Sequence, residues 1–209
     1  MELVLVIAVG YMLGSIPWGL WLPRWTKGVD VRKHGSGNVG AANVARAAGT
    51  RTAIYVALLD IAKGAAAALV GLAVAGSLGA VLAGAAAMVG HYRPLFLGFA
   101  QGGKSVATGL GAALAVAPLA ALCVVAVWGT LFIATRYSSI ASLASCVAMP
   151  LFALLFGATT PVLIFLTTAG IIVAVFHRKN VGRLVRGTEN RFGFSRRPWN
   201  WRTPRAPQA

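Results

Sequence analysis

Residues 3–22 read LVLVIAVGYMLGSIPWGLWL, twenty positions without a charge. As one helix this run rises about 30 Å, enough to cross the hydrocarbon core of a bilayer. A cleaved signal peptide fits poorly, because Glu2 stands in place of a basic n-region and no small-x-small site closes the run. Further apolar runs lie near 52–75, 78–98, 105–117, 119–134, 140–157 and 161–176, which makes seven candidate spans. The runs at 105 and 119 are short, with Pro118 between them, and read as a tight hairpin or a re-entrant pair. Composition agrees: 58% of the 209 residues are apolar and only 11% charged, with a mean hydropathy of +0.76. Water-soluble domains carry about 25% charged residues, and disordered, collagenous and disulfide-rich chains are excluded by the same figures.

The charge is lopsided. Nineteen Lys+Arg oppose four Asp+Glu, a formal +15 that points to anionic partners. If the N-terminus lies outside and the chain alternates, the inner segments hold Arg24, Lys27, Arg32, Lys33, Arg46 and Arg51, then Arg93 and Lys104, then Arg136, then the tail from His177. The outer turns near Gly76, Pro118 and Gly157 hold none. That asymmetry obeys the positive-inside rule at every turn. It also explains the basic tail without nucleic acid, and Trp199 and Trp201 among its arginines suit interfacial anchoring. The expectation is an all-α, polytopic membrane bundle of seven transmembrane helices, N-terminus outside and C-terminus cytoplasmic. One domain covers 1–190 and a basic tail covers 191–209.

Polar residues collect at the inner ends of the spans, in four clusters. Gly35-Ser36-Gly37-Asn38 precedes a short helix from Val39 to Ala48, with Asn38 or Ser36 as its N-cap. Such glycines let backbone N–H groups converge on an anion, and Asn43 and Arg46, three apart, share one helix face. Gly102-Gly103-Lys104-Ser105 opens another helical run, in which Lys104 and Thr108, four apart, share a face. Residues 98–105, GFAQGGKS, formally match a nucleotide phosphate loop. That loop needs a strand before it, and here a membrane span comes before it, so no nucleotide is expected. Asp60 and Lys63, three apart in the second span, either pair with each other or leave Lys63 to a substrate. His177 and Asn180 share a face at the inner boundary, with Arg183, Arg186 and Glu189 beyond. Ser138, Ser139 and Ser142 lie near the same level and read as caps for a helix starting near Ile140. Cys123, Cys146, His34, His91 and His177 have no metal-ligand spacing, so no metal is expected. The clusters describe one inner site rich in anion-binding groups and poor in carboxylates, which suits two phosphorylated ligands.

These residues resemble the bacterial acyl-phosphate:glycerol-3-phosphate acyltransferases. The matching stretches are Gly14-Ser15-Ile16-Pro17, Asp30-Val31-Arg32 with Gly35-Ser36-Gly37-Asn38-Val39-Gly40-Ala41 and Asn43, and Asp60-Ile61-Ala62-Lys63-Gly64. They continue with Gly90-His91 and Pro94, Gly102-Gly103-Lys104 with Val106-Ala107-Thr108, and Ser139-Ile140-Ala141-Ser142. The last is His177-Arg178-Lys179-Asn180-Val181-Gly182-Arg183-Leu184 with Gly187-Thr188-Glu189. Ala42 stands where the family usually has threonine, Ser105 where it has glycine and Trp18 where it has phenylalanine. The resemblance implies a multi-pass enzyme of the bacterial inner membrane with its site facing the cytoplasm. It would move a fatty acyl group from acyl phosphate to the 1-hydroxyl of glycerol 3-phosphate, giving lysophosphatidic acid and phosphate, with no cofactor, nucleotide or acyl-CoA.

The residues and the resemblance together select Ser36, Lys104, His177 and Asn180 for catalysis. Substrate and phosphate binding falls to Gly35, Gly37, Asn38, Asn43, Arg46, Lys63, Gly102, Gly103, Thr108, Ser139, Ser142 and Glu189. The proton acceptor is His177 or a substrate phosphate oxygen. A transporter or flippase for a phosphorylated metabolite or lipid would share the basic inner site; the lack of an internal repeat speaks against it.

Overall fold

A computed structural model describes residues 1–193; the expected tail lies, from residue 194 on, outside the described residues. All regular elements among the described residues are helical: α1 (Glu2–Gly14), α2 (Trp18–Lys27), α3 (Ala41–Ala48), α4 (Thr50–Tyr92), α5 (Val106–Val116), α6 (Pro118–Thr135), α7 (Ser138–Leu155), α8 (Thr160–Phe176) and α9 (Arg178–Val185). Short 3₁₀ turns lie at Val31–Lys33 and Leu95–Leu97.

The run 3–22 is not the single helix expected from its hydropathy. α1 stops at Gly14 and α2 starts at Trp18. Pro17 has no N–H to donate and biases Ile16 away from helical backbone. The stretch Glu2–Lys27 as a whole is still long and apolar enough to cross a membrane. The 43 residues of α4 also break, at Ala75 (φ −138°, ψ 27°) and Gly76 (φ 60°, ψ −155°). Its arms, 50–74 and 77–92, fold back on each other, so that a Cβ added to Gly71 would run into the backbone of Gly79. This hairpin separates the two runs expected at 52–75 and 78–98.

Helix length supports four crossings among the described residues, or five if α8 and α9, bent by 55°, are one span. The expectation was seven. The shortfall is partly the α4 hairpin, which length alone counts once. It is also α5, whose 11 residues rise only about 17 Å, little more than half a bilayer core.

Lipid is as apolar as leucine, so helices in a membrane are held together largely by close packing. α1 runs parallel to the second arm of α4, with Gly10 against the backbone of Ala83 and Gly14 against that of Ala87, leaving no room for a Cβ at either glycine. Ala112, Ala113, Val124, Met149 and Phe165 belong to the main apolar core. Leu20, Val31, Val39, Val44 and Val56 form a second core that seats the loop before α3. α7 gives the bundle two distinct ends, its 18 residues separating Ser139 from the turn after Leu155 by about 27 Å. At the far end, Ser77, Ala117 and Gly157 line a cavity of about 440 Å³. The polar clusters meet at the other end.

Candidate active site

The loop ahead of α3 turns through Gly35 (φ 57°) and Gly37 (φ 71°), a left-handed conformation that glycine adopts without steric cost. Asn43 holds it: Nδ2 donates to the carbonyls of Val31 and His34, both at 3.0 Å, and Oδ1 accepts from Ser36 N–H at 3.0 Å. Its amide is thus spent on the loop, whereas the side chain of Ser36 is exposed. α3 begins later than expected. Its N-cap is Gly40, not Asn38 or Ser36, and Asn38 Oδ1 accepts from Gly40 N–H at 2.7 Å. Asn38 Nδ2 donates to the carbonyl of Gly102 at 3.0 Å, which joins the first cluster to the second. Arg46 does lie on the Asn43 face; a Cβ at Gly35 would meet both side chains.

Gly102 and Gly103 hang from the end of α4, donating N–H to the carbonyls of Tyr92 (2.8 Å) and His91 (3.1 Å). Lys104 follows. It does not share a helix face with Thr108, because Ser105 is the left-handed N-cap of α5 (φ 62°, ψ 13°) and Lys104 precedes the helix. Thr108 is fully buried instead, against Gly64. The position at 105 explains a preference for glycine. Serine there accepts left-handed strain, and its Oγ donates to the carbonyl of Met88 at 2.7 Å.

Lys104 Nζ donates to Asn180 Oδ1 on α9. Asn180 Nδ2 donates to Glu189 Oε1 at 2.5 Å, which also accepts from Ser139 Oγ on α7 at 3.1 Å. Arg183 Nε donates to Glu189 Oε2 at 2.6 Å. Ser139 thus lies inside the first turn of α7 and serves this network rather than capping the helix, whose N-cap is Tyr137. Ser142 is directed elsewhere, accepting from Trp128 Nε1 at 3.2 Å. Lys63 is 5% exposed and bound within the bundle. His177 is buried at the junction of α8 and α9, with Nδ1 2.8 Å from the carbonyl of Val173. A carbonyl only accepts, so Nδ1 carries the proton and Nε2 is the nitrogen that can take one.

Electrostatics follow the same geometry. Burial presses the Lys104 ammonium down to about 8; Glu189 opposes this, and Arg183 and Arg46 add to it. Burial works against a charged Glu189, but hydrogen bonds from Asn180 and Arg183 outweigh it and hold the carboxyl below its ordinary value. Arg46 is lowered by burial, with Glu189 opposing and Arg183 adding, which puts it within reach of the same cluster. Three cations, Lys104, Arg46 and Arg183, therefore surround one carboxylate whose oxygens are already engaged. The excess positive charge is what a phosphate needs. Arg183 was not among the residues selected from sequence. The signal was present, since residues 177, 180 and 183 recur every three positions along one face of α9.

The chain is similar to known proteins over most of its length. The family model described as glycerol-3-phosphate acyltransferase matches residues 4–187. A glycerol-3-phosphate acyltransferase of Rubrobacter xylanophilus is 44% identical over 91% of this chain and 95% of its own. One from an Anaeromyxobacter strain is 46% identical over 90% and 95%. The crystal structure of PlsY (YgiH), an integral membrane glycerol 3-phosphate acyltransferase, in its glycerol 3-phosphate form superposes with a TM-score of 0.87 at 39% identity, covering 92% of this chain and 96% of that one. The lysophosphatidic acid form gives 0.84 at 36% identity with the same coverage. A match of this length in both sequence and helix arrangement makes the chain a member of the glycerol-3-phosphate acyltransferase family.

Proposed function

We propose that this protein transfers a fatty acyl group from acyl phosphate to the 1-hydroxyl of glycerol 3-phosphate, releasing lysophosphatidic acid and inorganic phosphate at the cytoplasmic face of a bacterial inner membrane. The observation that carries the reading is the Lys104–Asn180–Glu189 network with Arg46 and Arg183 beside it. It joins three chain segments into a cationic site at the end of the bundle where the basic loops meet. Family membership supports the acceptor, as does the glycerol 3-phosphate form of a similar protein.

An acyl phosphate is a mixed anhydride with a good leaving group, so no covalent enzyme intermediate is required. The hydroxyl oxygen attacks the acyl carbon, the carbonyl oxygen takes up the charge, and the bond to the phosphate oxygen then breaks. The protein has to hold two anions together, orient the hydroxyl and donate to the developing oxyanion. Positioning of this kind supplies ~7–11 kcal/mol, and one oxyanion donor ~2.7–4 kcal/mol. Lys104, Arg46, Asn180 and the Ser36 hydroxyl supply the donors. The hydroxyl proton goes either to His177 Nε2 or to a substrate phosphate oxygen.

The test uses purified protein in detergent with both substrates. Lysophosphatidic acid and inorganic phosphate should both appear with acyl phosphate, and no lysophosphatidic acid should form in matched samples given acyl-CoA as the donor. No phosphate release without a vesicle, together with uptake into proteoliposomes, would make the protein a transporter instead.

A further inference from the structure

Within the bundle, beside the site, three ionisable side chains form a buried knot. Lys63 Nζ lies 2.8 Å from Asp60 Oδ1, 2.8 Å from the carbonyl of Ile16 and 2.8 Å from His91 Nδ1. The Asp60 and Lys63 side chains are each 3% exposed. The ammonium therefore has an ion-pair partner and two hydrogen-bonding partners inside the protein, all within 2.8 Å. An ammonium cannot accept, so His91 Nδ1 does, and the ring proton sits on Nε2.

Ionisable groups at membrane depth are costly and are retained where they have a task. What the knot touches shows the task. The His91 ring fills the place a Gly103 side chain would take. The carbonyls of His91 and Tyr92 accept the N–H groups of Gly103 and Gly102. From the other side, Asn38 Nδ2 grips the carbonyl of Gly102. The Gly102–Gly103 turn is thus clamped at ring, backbone and carbonyl, and the next residue is Lys104. The bond from Lys63 to Ile16 ties the same knot to the break between α1 and α2.

We propose that Asp60, Lys63 and His91 are positioning residues for Lys104: the ion pair fixes the His91 ring, the ring and its carbonyl fix the Gly102–Gly103 turn, and the turn delivers the Lys104 ammonium to Asn180. The activity part of this proposal rests on the acyl-transfer reading above, and the experiment separates the two.

A buried ion pair replaced on both sides by apolar residues often leaves a protein as stable as before. Asp60→Leu/Lys63→Met is therefore the main variant. Gly103→Ala is the second, and it disturbs the same contact from the loop side with both charges intact. Two readouts are taken on the full chain in detergent. The first is the pH midpoint at which a small amine-reactive reagent labels Lys104, read by peptide mass spectrometry, which needs no turnover. The wild-type midpoint should lie near 8. In both variants it should rise by about one pH unit, towards that of an ordinary lysine. The second readout is phosphate release. Each variant should be roughly 10- to 150-fold slower than wild type, the range for losing one charge-assisted hydrogen bond. In a Lys104→Ala background the same changes should cost under about threefold more, because residues acting through one another are not additive. An unmoved labelling midpoint, or a loss that multiplies in full on Lys104→Ala, overturns the proposal. If the wild type releases no phosphate from acyl phosphate, the acyl-transfer reading fails, and the labelling midpoint still decides whether the knot positions Lys104.

Discussion

Lys104 is the side chain on which most of the site's charge logic turns. Its ammonium is pressed by burial to about 8, and only the protonated form attracts a phosphate. As pH rises through about 8 the charge is lost, so kcat/KM should fall on the alkaline side with a midpoint near that value, since this parameter reports the free enzyme. Lys104→Ala should remove this limb and cost roughly 10- to 150-fold, the effect of losing a charge-assisted hydrogen bond. A flat profile from pH 7 to 10 in the wild type would show that the ammonium plays no part. His177 poses a separate question. If Nε2 takes the hydroxyl proton, His177→Gln should lose ~10²–10⁴-fold, the usual contribution of a positioned base. If the ring only donates to Val173 and packs, the amide should keep most of the activity. Burial, the spent Nδ1 and an already activated acyl donor favour the second outcome, checked by turnover of His177→Gln at constant fold. At this scale the sequence was informative about residue types and poor on partners. Lys104, Asn180, Ser139 and Glu189 were all legible as candidates, but Ser139 and Glu189 meet across fifty positions of chain, which no spacing rule reveals. Asn43, Lys63 and Ser142 were selected as ligands on the same grounds, and the structure has them bonded to backbone, buried charge or Trp128, while Thr108 is buried against Gly64. A polar residue that holds a loop and one that holds a substrate look alike in a single sequence.

Among the elements, breaks were harder to read than runs. The apolar stretches from 105 to 176 became α5 to α8 with ends shifted by one or two residues. Hydropathy averages over a window, however, and it ran straight through Ser15-Ile16-Pro17, although Pro17 announces the interruption chemically. Gly76 was legible as an uncharged turn between the runs 52–75 and 78–98. The structure adds the reason that only glycine serves there. With φ 60° and ψ −155°, the residue occupies backbone space that a Cβ makes costly. Gly76→Ala should therefore lower stability by about 1–3 kcal/mol, seen as a lower Tm in detergent. Gly129, inside α6 with open space around it, is the matched control. Gly129→Ala should raise stability by about 0.5–1 kcal/mol, because alanine loses less backbone freedom in a helix. Equal shifts for both would mean that the α4 hairpin does not depend on its glycine.

Taken whole, the molecule has one polar end and one apolar end. The polar end gathers the loop before α3, the Gly102–Gly103 turn, the start of α7 and α9, the same segments that carry Arg46, Lys104, Arg136 and Arg183. The apolar end gathers the turns at Ser77, Ala117 and Gly157, around the 440 Å³ cavity, with no lysine or arginine among the residues lining it. Charge asymmetry of this kind orients a membrane protein with its basic loops in the cytoplasm. The prediction is then specific for each turn. In a chain whose Cys123 and Cys146 are replaced by alanine, Ser77→Cys and Thr159→Cys should react with an impermeant thiol reagent in intact cells, because both positions are exposed at the apolar end. Thr50→Cys and Thr188→Cys, exposed at the polar end, should react only after the membrane is opened. The mirror-image pattern would put the cationic site outside and overturn the proposed cytoplasmic placement. Labelling of Ser77→Cys but not Thr159→Cys in intact cells would contradict the shared end that the cavity gives these two positions. The four positions together therefore test the orientation of the bundle and whether the turns after the first arm of α4 and after α7 share one side, as the cavity between them requires.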